Sequence, residues 1–191
     1  MASLPKTFLT PEEYLEQERR AEFKSEYFQG ETSAMAGGSE RHGLIQGNVF
    51  AALHQQFRGR PCRVYASDLR LKTPPPPLFT YPDVMVICGQ PQFGDDRTDT
   101  VVNPVLIVEV LSPSTRDYDR GLKFEVYRKL PSLREYVTVA QDKPHIEHWC
   151  RSENGRWQLL EVEDLEGVIK FDSVGCVLPL TEIYDKVDWQ G

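Results

Sequence analysis

The sequence predicts a fold of mixed helices and strands, in the α/β or α+β class, forming one domain over residues 1–191. An apolar stripe at helical spacing runs through residues 42–57. Residues 105–111 form an almost continuous apolar run, which is typical of a strand buried on both faces. Shorter helical and alternating segments surround these two in mixed order, which argues against an all-helical or an all-strand protein.

The other elements follow from local signals. Thr10 and Pro11 open a helix that we expect to reach about residue 23, because threonine caps a first turn and proline suits its first position. The prolines at 74–77 predict a loop between strands. The remaining predicted segments are a strand and turn at 26–31, strands at 63–72 and 81–88, a helix at 117–130, and strands at 135–140, 146–150 and 157–162.

The composition is that of a globular protein: 40% hydrophobic and 27% charged residues exclude a wholly disordered chain. No apolar run approaches the roughly 20 residues of a membrane-spanning helix, and the N-terminal segment lacks the apolar stretch of a signal peptide. We therefore expect no membrane partner and a cytoplasmic location. Cys62, Cys88, Cys150 and Cys176 are scattered without a C-x-x-C pair, so we expect free thiols in a reducing compartment.

Histidine and tryptophan give weaker signals. His145 and His148 lack the spacing of a helical zinc motif, and we expect them at the surface. Trp149, Trp157 and Trp189 are expected to be packing residues, because no basic residues interleave with them in a repeated way.

The charge distribution leaves nucleic-acid binding open. A net charge of −7 counts against a large phosphate-binding surface. Basic residues nevertheless cluster in the middle of the chain, where they form either a nucleic-acid-binding face or ordinary solvated surface. They are Arg58, Arg60, Arg63, Arg70, Lys72, Arg116, Arg120, Lys123, Arg128, Lys129 and Arg134.

Two acids stand in apolar strands. Glu109 lies inside the run at 105–111, and Asp83 begins the apolar strand that follows Pro82. A buried carboxylate must be paired, protonated or bound to a metal, because burying its unpaired charge is too costly. Two such acids on neighbouring strands predict a site for Mg²⁺, which prefers oxygen ligands. The alternative for each acid taken alone is an ordinary ion pair or a loop cap.

The helix after Glu109 carries a candidate catalytic lysine. Asp119, Lys123 and Tyr127 recur every four residues and therefore share one helix face. Because the helix follows the Glu109 strand through a short loop, it can direct Lys123 to the two acids, where the lysine would hold a water and offset phosphate charge. The alternative is a surface lysine paired with Asp119.

These segments, taken in order, resemble one known family. They are Glu26-Tyr-x-x-Gly-Glu31, His42 at a helix start, Pro82-Asp83-Val, Val108-Glu109-Val-Leu-Ser-Pro-Ser-Thr115, Asp119-x-x-x-Lys123-x-x-x-Tyr127 and Leu178-Pro-Leu-Thr-Glu-Ile-Tyr184. They are similar to the Uma2 family of restriction-endonuclease-like proteins in the PD-(D/E)XK nuclease superfamily. The resemblance covers nearly the whole chain and implies a mixed central β-sheet flanked by helices.

The same resemblance implies roles for individual residues. Asp83 and Glu109 would be metal ligands, Lys123 the catalytic lysine, and Glu26 a further ligand or water-positioning group. His42, Gln46 and Tyr127 are accessory candidates near the same cleft. One departure stands out: the (D/E)-x-K signature places lysine at position 111, where this chain has leucine, so Lys123 is its substitute.

Two functions follow from these assignments. The first is a Mg²⁺- or Mn²⁺-dependent endonuclease that hydrolyses phosphodiester bonds in DNA, expected to act as a homodimer by analogy with restriction enzymes. The second is a catalytically weak or inactive nuclease-fold module for binding or regulation, favoured by the acidic balance and by Leu111. A serine hydrolase built on Ser112 or Ser114 with His42 is disfavoured, because no G-x-S-x-G elbow is present.

Overall fold

The computed structural model describes residues 8–35 and 37–189. Its helical segments are α1 (Pro11–Glu18), α2 (Glu40–Gln56), α3 (Arg116–Tyr118), a π-helical turn (Asp119–Lys123), α4 (Phe124–Tyr127) and α5 (Leu180–Ile183). Its strands are β1 (Ser25–Phe28), β2 (Glu31–Ala34), β3 (Cys62–Ala66), β4 (Arg70–Lys72), β5 (Leu78–Thr80), β6 (Val84–Cys88), β7 (Thr100–Val101), β8 (Leu106–Leu111), β9 (Glu135–Ala140), β10 (Ile146–Arg151), β11 (Trp157–Val162), β12 (Val168–Phe171) and β13 (Cys176–Pro179). The predicted mixed fold, with mixed sheets flanked by helices, is confirmed.

The main sheet has six strands in the order β11-β10-β9-β8-β6-β3. Strands β8 and β9 pair in parallel, and the other neighbours pair antiparallel. Every residue of β8 is buried, as its continuous apolar run predicts for a strand covered on both faces. Helix α2 covers one face, where Val108 and Val137 lie in one apolar cluster. Helix α4 covers the other face, where Ile107 and Tyr136 lie in a second cluster.

A second sheet lies at the N-terminal side of the chain, in the order β2-β1-β5-β4-β7. Helix α1 packs on it through Tyr14, whose ring lies 5.0 Å from that of Tyr27 and 5.3 Å from that of Phe79. The chain leaves this sheet after Thr80 and enters the main sheet at Val84. Residues 81–83 therefore connect the two sheets, and this places Asp83 at their junction.

Two predicted boundaries were wrong. Helix α1 ends at Glu18 rather than near residue 23, because the Glu18 carboxylate accepts hydrogen bonds from the Ser25 amide and hydroxyl and so turns the chain back into β1. The strand predicted at 63–72 is two strands in different sheets, β3 and β4. A turn at Asp68, whose amide donates to the Ala66 carbonyl oxygen at 2.7 Å, separates them. Local alternation continues across such a turn and does not reveal it.

Some short elements carried no clear signal in the sequence. They are β5, β7, the β12–β13 hairpin and α5. Each has only two to four residues, which is too short for a period of 2.0 or 3.6 to stand out. Tertiary packing therefore defines them. Within the described ranges, no helix is long and apolar enough to cross a membrane.

The expectation of four free thiols was wrong for one pair. Cys62 and Cys88 face each other in the antiparallel β3–β6 register and form a disulfide. The residues are 26 positions apart, so only the strand pairing brings them together. Cys150 and Cys176 are free, as expected.

The expected surface position of the two strand histidines was also wrong. His145 is 8% exposed and His148 is 2% exposed. Both are covered by the C-terminal part of the chain: the His145 amide donates to the Tyr184 hydroxyl, and the His148 ring packs edge-on against Phe171. Polar residues in the middle of a strand do not reveal which later segment will cover them.

A π-helical turn interrupts the helix after β8. It spans Asp119–Lys123, and Asp119 and Lys123 are both buried. The Tyr136 hydroxyl donates a 2.9 Å hydrogen bond to the Asp119 carbonyl oxygen. Because a π turn frees backbone groups from the regular helical ladder, this bond from the main sheet supports the turn.

We therefore expect Tyr136→Phe to lower the free energy of unfolding by about 1–3 kcal/mol, the usual cost of leaving a buried acceptor unsatisfied. Urea unfolding measures it. Tyr65→Phe is the matched control, since the half-buried Tyr65 packs beside the same apolar cluster. Equal losses in both variants would contradict the role given to the Tyr136 hydroxyl.

Candidate active site

Asp83 and Glu109 are brought together by strand pairing. In the antiparallel β6–β8 register Val84 faces Val108, so the next pair outward is Asp83 and Glu109. The Asp83 amide donates to Glu109 Oε2 at 3.2 Å. The Val110 amide donates to Asp83 Oδ2 at 2.7 Å. The two carboxylates are thus fixed side by side, at the edge where β6 begins.

Lys123 lies in the middle of the acids. Its Nζ atom is 3.2 Å from Glu109 Oε1, 3.1 Å from Glu26 Oε1 and 3.1 Å from Asp119 Oδ1. The contact with Asp119 is an ion pair without hydrogen-bond alignment, since Asp119 Oδ1 has no hydrogen-bond partner among the described residues. Lys123 is 6% exposed, so the alternative that it is a surface lysine is wrong. The predicted pair of Lys123 with Asp119 does exist.

Tyr127 and Tyr118 complete the surroundings of the lysine. The Tyr127 hydroxyl donates to Glu109 Oε1 at 2.8 Å from a fully buried ring. The Tyr118 ring lies 5.5 Å from Lys123 Nζ, within the range of a cation–π contact. The helix face that carries residues 119, 123 and 127 in the sequence therefore faces Glu109.

Glu26 comes to this site from the other sheet. It lies on β1, is 8% exposed, and accepts a hydrogen bond from the Thr80 hydroxyl on the neighbouring strand β5. Its ion pair with Lys123 joins the second sheet to the helix that follows β8. The site therefore occupies the junction of the two sheets.

His42 and Gln46 hold Asp83 from the first turns of α2. His42 Nε2 lies 3.0 Å from Asp83 Oδ1, and Gln46 Nε2 donates to the Asp83 carbonyl oxygen at 2.9 Å. Ser39 caps the helix by accepting a hydrogen bond from the His42 amide. The hydrogen bond to Asp83 raises the pKa of His42, against the opposing effect of burial.

Burial and neighbouring charges shift the pKa values of the acids and of the lysine in this site. Burial, and then the charges of Asp83, Asp119 and Glu26, raise the pKa of Glu109 to about 8, although Lys123 opposes the shift. Burial also raises the pKa of Asp119. Burial alone would lower the pKa of Lys123, but Glu109, Tyr127, Glu26 and Asp119 raise it well above its usual value. The lysine therefore stays charged.

These residues fit a divalent cation with oxygen ligands. Three carboxylates, those of Glu26, Glu109 and Asp119, contact one ammonium group. Asp83 lies beside them and pairs with His42, and among the described residues neither Asp83 nor Glu109 forms an ion pair with an arginine. In residues 8–35 and 37–189, Asp83 and Glu109 are not part of any group of three ligand side chains within 4.8 Å of one another. The described residues therefore offer Asp83 and Glu109 as a pair of oxygen donors, and a cation held there would keep several waters as its other ligands.

Sequence reasoning missed three members of the site as functional residues. The sequence predicts that Asp119 shares the helix face of Lys123 and Tyr127 but assigns it no role in the site, and its four-residue spacing from Lys123 is the available signal. Tyr118 and Thr80 gave none, because a ring beside a lysine and a hydroxyl beside Glu26 arise only from tertiary contacts. Leu111 is buried at the end of β8. The ammonium group of Lys123 reaches Glu109 from the following helix instead.

A basic cleft of about 700 Å³ lies on the same side of the main sheet. Phe124, the residue after Lys123, lines it. Its other lining residues combine positive charge with aromatic rings: Arg128, Lys129, Trp149, Arg151, Gly155, Arg156 and Trp157. Trp149 and Trp157 pack on Phe124, as expected of packing residues, yet the fold also brings arginines beside them.

Comparisons with known proteins agree with this fold. The sequence model of the Uma2 family, described as "Putative restriction endonuclease", matches residues 11–181. Two uncharacterized proteins of Synechocystis sp. are similar in sequence. One is 37% identical over 163 residues, which cover 85% of this chain and 92% of the relative. The other is 36% identical over 184 residues, which cover 95% and 94%.

A solved structure is also similar. It is a crystal structure of "a putative nuclease belonging to DUF820" from Anabaena variabilis, with a TM-score of 0.74 over 92% of this chain and 97% of that one. At 16% sequence identity, this likeness shows a shared fold.

The raised pKa of Glu109 predicts a pH-dependent cost of burial. With a pKa of about 8 in the folded chain and 4.5 as its ordinary value, Glu109 favours folding when protonated. That contribution is complete below pH 4.5 and is lost as the pH rises through 8. We expect Glu109→Gln to gain stability relative to the wild type between pH 5 and pH 9, by a few kcal/mol, about 1.4 kcal/mol for each pKa unit.

Urea unfolding in EDTA at pH 5, 7 and 9 measures this trend. The exposed Glu182 provides the control, Glu182→Gln, which makes the same change of side chain outside the site. A Glu109→Gln difference that is constant across the three pH values would contradict the assignment.

Proposed function

Since the chain belongs to the Uma2 family, we propose that it is a metal-dependent endonuclease that hydrolyses phosphodiester bonds in DNA. The observation that carries the proposal is the buried cluster in which Asp83 and Glu109 lie side by side and Lys123 contacts three carboxylates. A cluster of carboxylates around one fixed cation suits the hydrolysis of a phosphodiester, in which charge must be balanced near the reacting atoms.

Asp83 and Glu109 would hold Mg²⁺, or Mn²⁺ in its place. When bound, the ion would polarise the phosphate and acidify a water. His42 and Gln46 orient Asp83 from α2, and Tyr127 fixes Glu109 by its hydroxyl. These contacts keep the two carboxylates in one orientation before substrate arrives.

Lys123 supplies the protein's own positive charge. Its raised pKa keeps the ammonium group protonated, so it can offset charge on a phosphate oxygen and donate a hydrogen bond to a water. Glu26 and Asp119 position it from two sides. In this proposal Glu26 acts through Lys123 rather than as a further metal ligand.

The basic cleft supports a nucleic-acid substrate. Arg128, Lys129, Arg151 and Arg156 line it on the same side of the sheet as Glu109. Phosphate contacts by arginine and lysine supply most of the sequence-independent affinity for DNA. A protein with an overall charge of −7 thus still offers one surface of opposite sign. The proposal includes a homodimer, because a single active site cuts one strand at a time.

A binding or regulatory module is the second candidate. One reason for it is that the ammonium group of Lys123 is already occupied by three carboxylates. Another is that leucine stands at position 111, where the superfamily signature has lysine. Such a module need not keep a metal site. Calorimetric titration with Mn²⁺ separates the two candidates: heat of binding that disappears in Asp83→Asn and Glu109→Gln favours the nuclease.

Incubation of supercoiled plasmid with the protein and Mg²⁺ or Mn²⁺ tests the proposed reaction. We expect linear product from the wild type, none in EDTA, and background cleavage by Asp83→Asn and Glu109→Gln. Lys123→Met should lower the rate by about 100- to 1000-fold, the usual effect of losing one group that stabilises developing charge.

The exposed Asp185 provides the matched control, Asp185→Asn, which should cleave like the wild type. Cleavage of equal rate by the wild type, Asp83→Asn and Glu109→Gln would mean that another site or another protein is responsible. Nicked product without linear product would argue against the homodimer.

The basic cleft yields a separate prediction about affinity. The double variant Arg128→Glu/Arg156→Glu should weaken DNA binding and reduce the slope of log affinity against log salt by about 1 for each phosphate that the protein no longer neutralises. Fluorescence anisotropy at several salt concentrations measures both quantities.

Arg58→Glu/Lys170→Glu makes the same change of charge at exposed positions outside the cleft. If this control loses as much affinity as the cleft variant, only the net charge matters and the cleft has no special role.

A further inference from the structure

A second polar cluster lies on the opposite face of the main sheet. Glu135 on β9 and His148 and Cys150 on β10 have ligand atoms within 4.8 Å of one another. His148 Nε2 is 2.6 Å from Glu135 Oε2 and 3.1 Å from Cys150 Sγ. Glu135 and His148 are each about 3% exposed in their side chains, and Cys150 is half-buried.

Strand geometry explains why these residues meet. His148 and Cys150 are two positions apart and therefore point to the same face of β10. Cys150 pairs directly with Glu135 in the antiparallel register. Val137 and Ile146 share this face and belong to the apolar cluster on the α2 side, whereas Tyr136 belongs to the cluster on the side of Glu109. The sheet thus separates this cluster from the candidate active site.

The three side chains cannot all satisfy their hydrogen bonding with one another. Both close contacts converge on one atom, His148 Nε2, which carries at most one proton. If that proton is donated to Glu135, the Cys150 thiol has no acceptor there. If the thiol donates to Nε2, the carboxylate has no donor from the ring. A cation bound to all three atoms would satisfy the ring nitrogen, the carboxylate and the sulfur together.

We propose that Glu135, His148 and Cys150 bind Zn²⁺. A sulfur, an imidazole nitrogen and a carboxylate oxygen are the three donor types that zinc accepts in proteins, at about 2.0–2.3 Å. Thiolate selects against Mg²⁺, which prefers oxygen. A thiolate and a carboxylate also neutralise a divalent ion, which suits a buried place. The half-exposed side at Cys150 leaves a fourth position to water.

The proposal also fits the surroundings of the ligands. The Ser173 amide donates to Glu135 Oε1 at 2.7 Å and so fixes the carboxylate from its other oxygen. Ser173 lies in the turn between β12 and β13, and the Phe171 ring packs on His148. Bound Zn²⁺ would therefore tie the C-terminal hairpin to the main sheet. Orienting contacts of this kind are the usual support of metal ligands.

Another group of potential ligands, His145, Glu147 and Glu161, offers less. It has no thiol, and Glu147 is already paired with Arg120 at 2.7 Å and bonded to the Thr138 hydroxyl. The charge of the Glu147 carboxylate is therefore largely offset by Arg120. Among the described residues, Glu135 forms no ion pair with a lysine or an arginine, and its recorded partner is His148.

Metal content and cobalt spectroscopy test the proposal on the full chain. We expect native mass spectrometry after dialysis to find equimolar Zn²⁺, and Co²⁺ substitution to give a thiolate-to-cobalt charge-transfer band. Cys150→Ser should abolish the band and weaken Zn²⁺ binding by more than the roughly 10- to 100-fold typical of removing a group that only orients a ligand. Cys176→Ser is the control, since Cys176 is also a free cysteine, and it should keep both signals.

The double variant Asp83→Asn/Glu109→Gln separates this site from the candidate active site and should keep its Zn²⁺. Alkylation of the wild type by iodoacetamide gives a readout that needs no variant: Zn²⁺, but not Mg²⁺, should protect Cys150. Absence of retained Zn²⁺, a cobalt band that survives in Cys150→Ser, or loss of zinc in the double variant would each overturn the proposal.

Discussion

The ammonium group of Lys123 is the contact on which the architecture of the site depends. It joins Glu26 of the second sheet, Glu109 of the main sheet and Asp119 of the following helix within 3.1–3.2 Å. Removing such a buried cation would leave uncompensated charges in a place that water hardly reaches, which is the costly way to break a buried ion pair. The two sheets and the helix are therefore held in one arrangement by electrostatics as well as by apolar packing.

The π-helical turn gives this lysine its place. In it Asp119 and Lys123 both point into the protein, and Tyr136 from β9 bonds to the Asp119 carbonyl oxygen. Turns of this type are rare and frequently occur at functional sites. The local irregularity also explains how a lysine from a helix can stand beside Glu109 when position 111 of the strand holds leucine.

The main sheet separates two polar clusters of different chemistry. On the α4 side, the side chains that we propose as metal ligands are carboxylates, and the nearby cation is a lysine. On the α2 side, a carboxylate, an imidazole and a thiol meet in an apolar surrounding. Oxygen donors suit a weakly held ion that takes part in chemistry, whereas the mixed set with sulfur suits a tightly held ion that supports the fold. Alternating strand residues make this division possible, because neighbours along β9 and β10 face opposite sides.

The sequence alone determined the type of fold and drew attention to the acids. Glu109 stood out because a charge inside a continuous apolar run needs a partner, and Lys123 because it recurs with Asp119 and Tyr127 at helical spacing. The tertiary structure decided how these residues combine. Strand register set Asp83 beside Glu109, and sheet packing brought in Glu26 and Thr80.

The difference between local sequence signals and tertiary contacts also explains the predictions that were wrong. The Cys62–Cys88 disulfide and the burial of His145 and His148 depend on which strand or hairpin covers a residue. Local sequence fixes periodicity and charge, which act over a few residues. Pairing between segments that lie far apart in the chain is decided by the burial of the whole core, and only the folded structure records it.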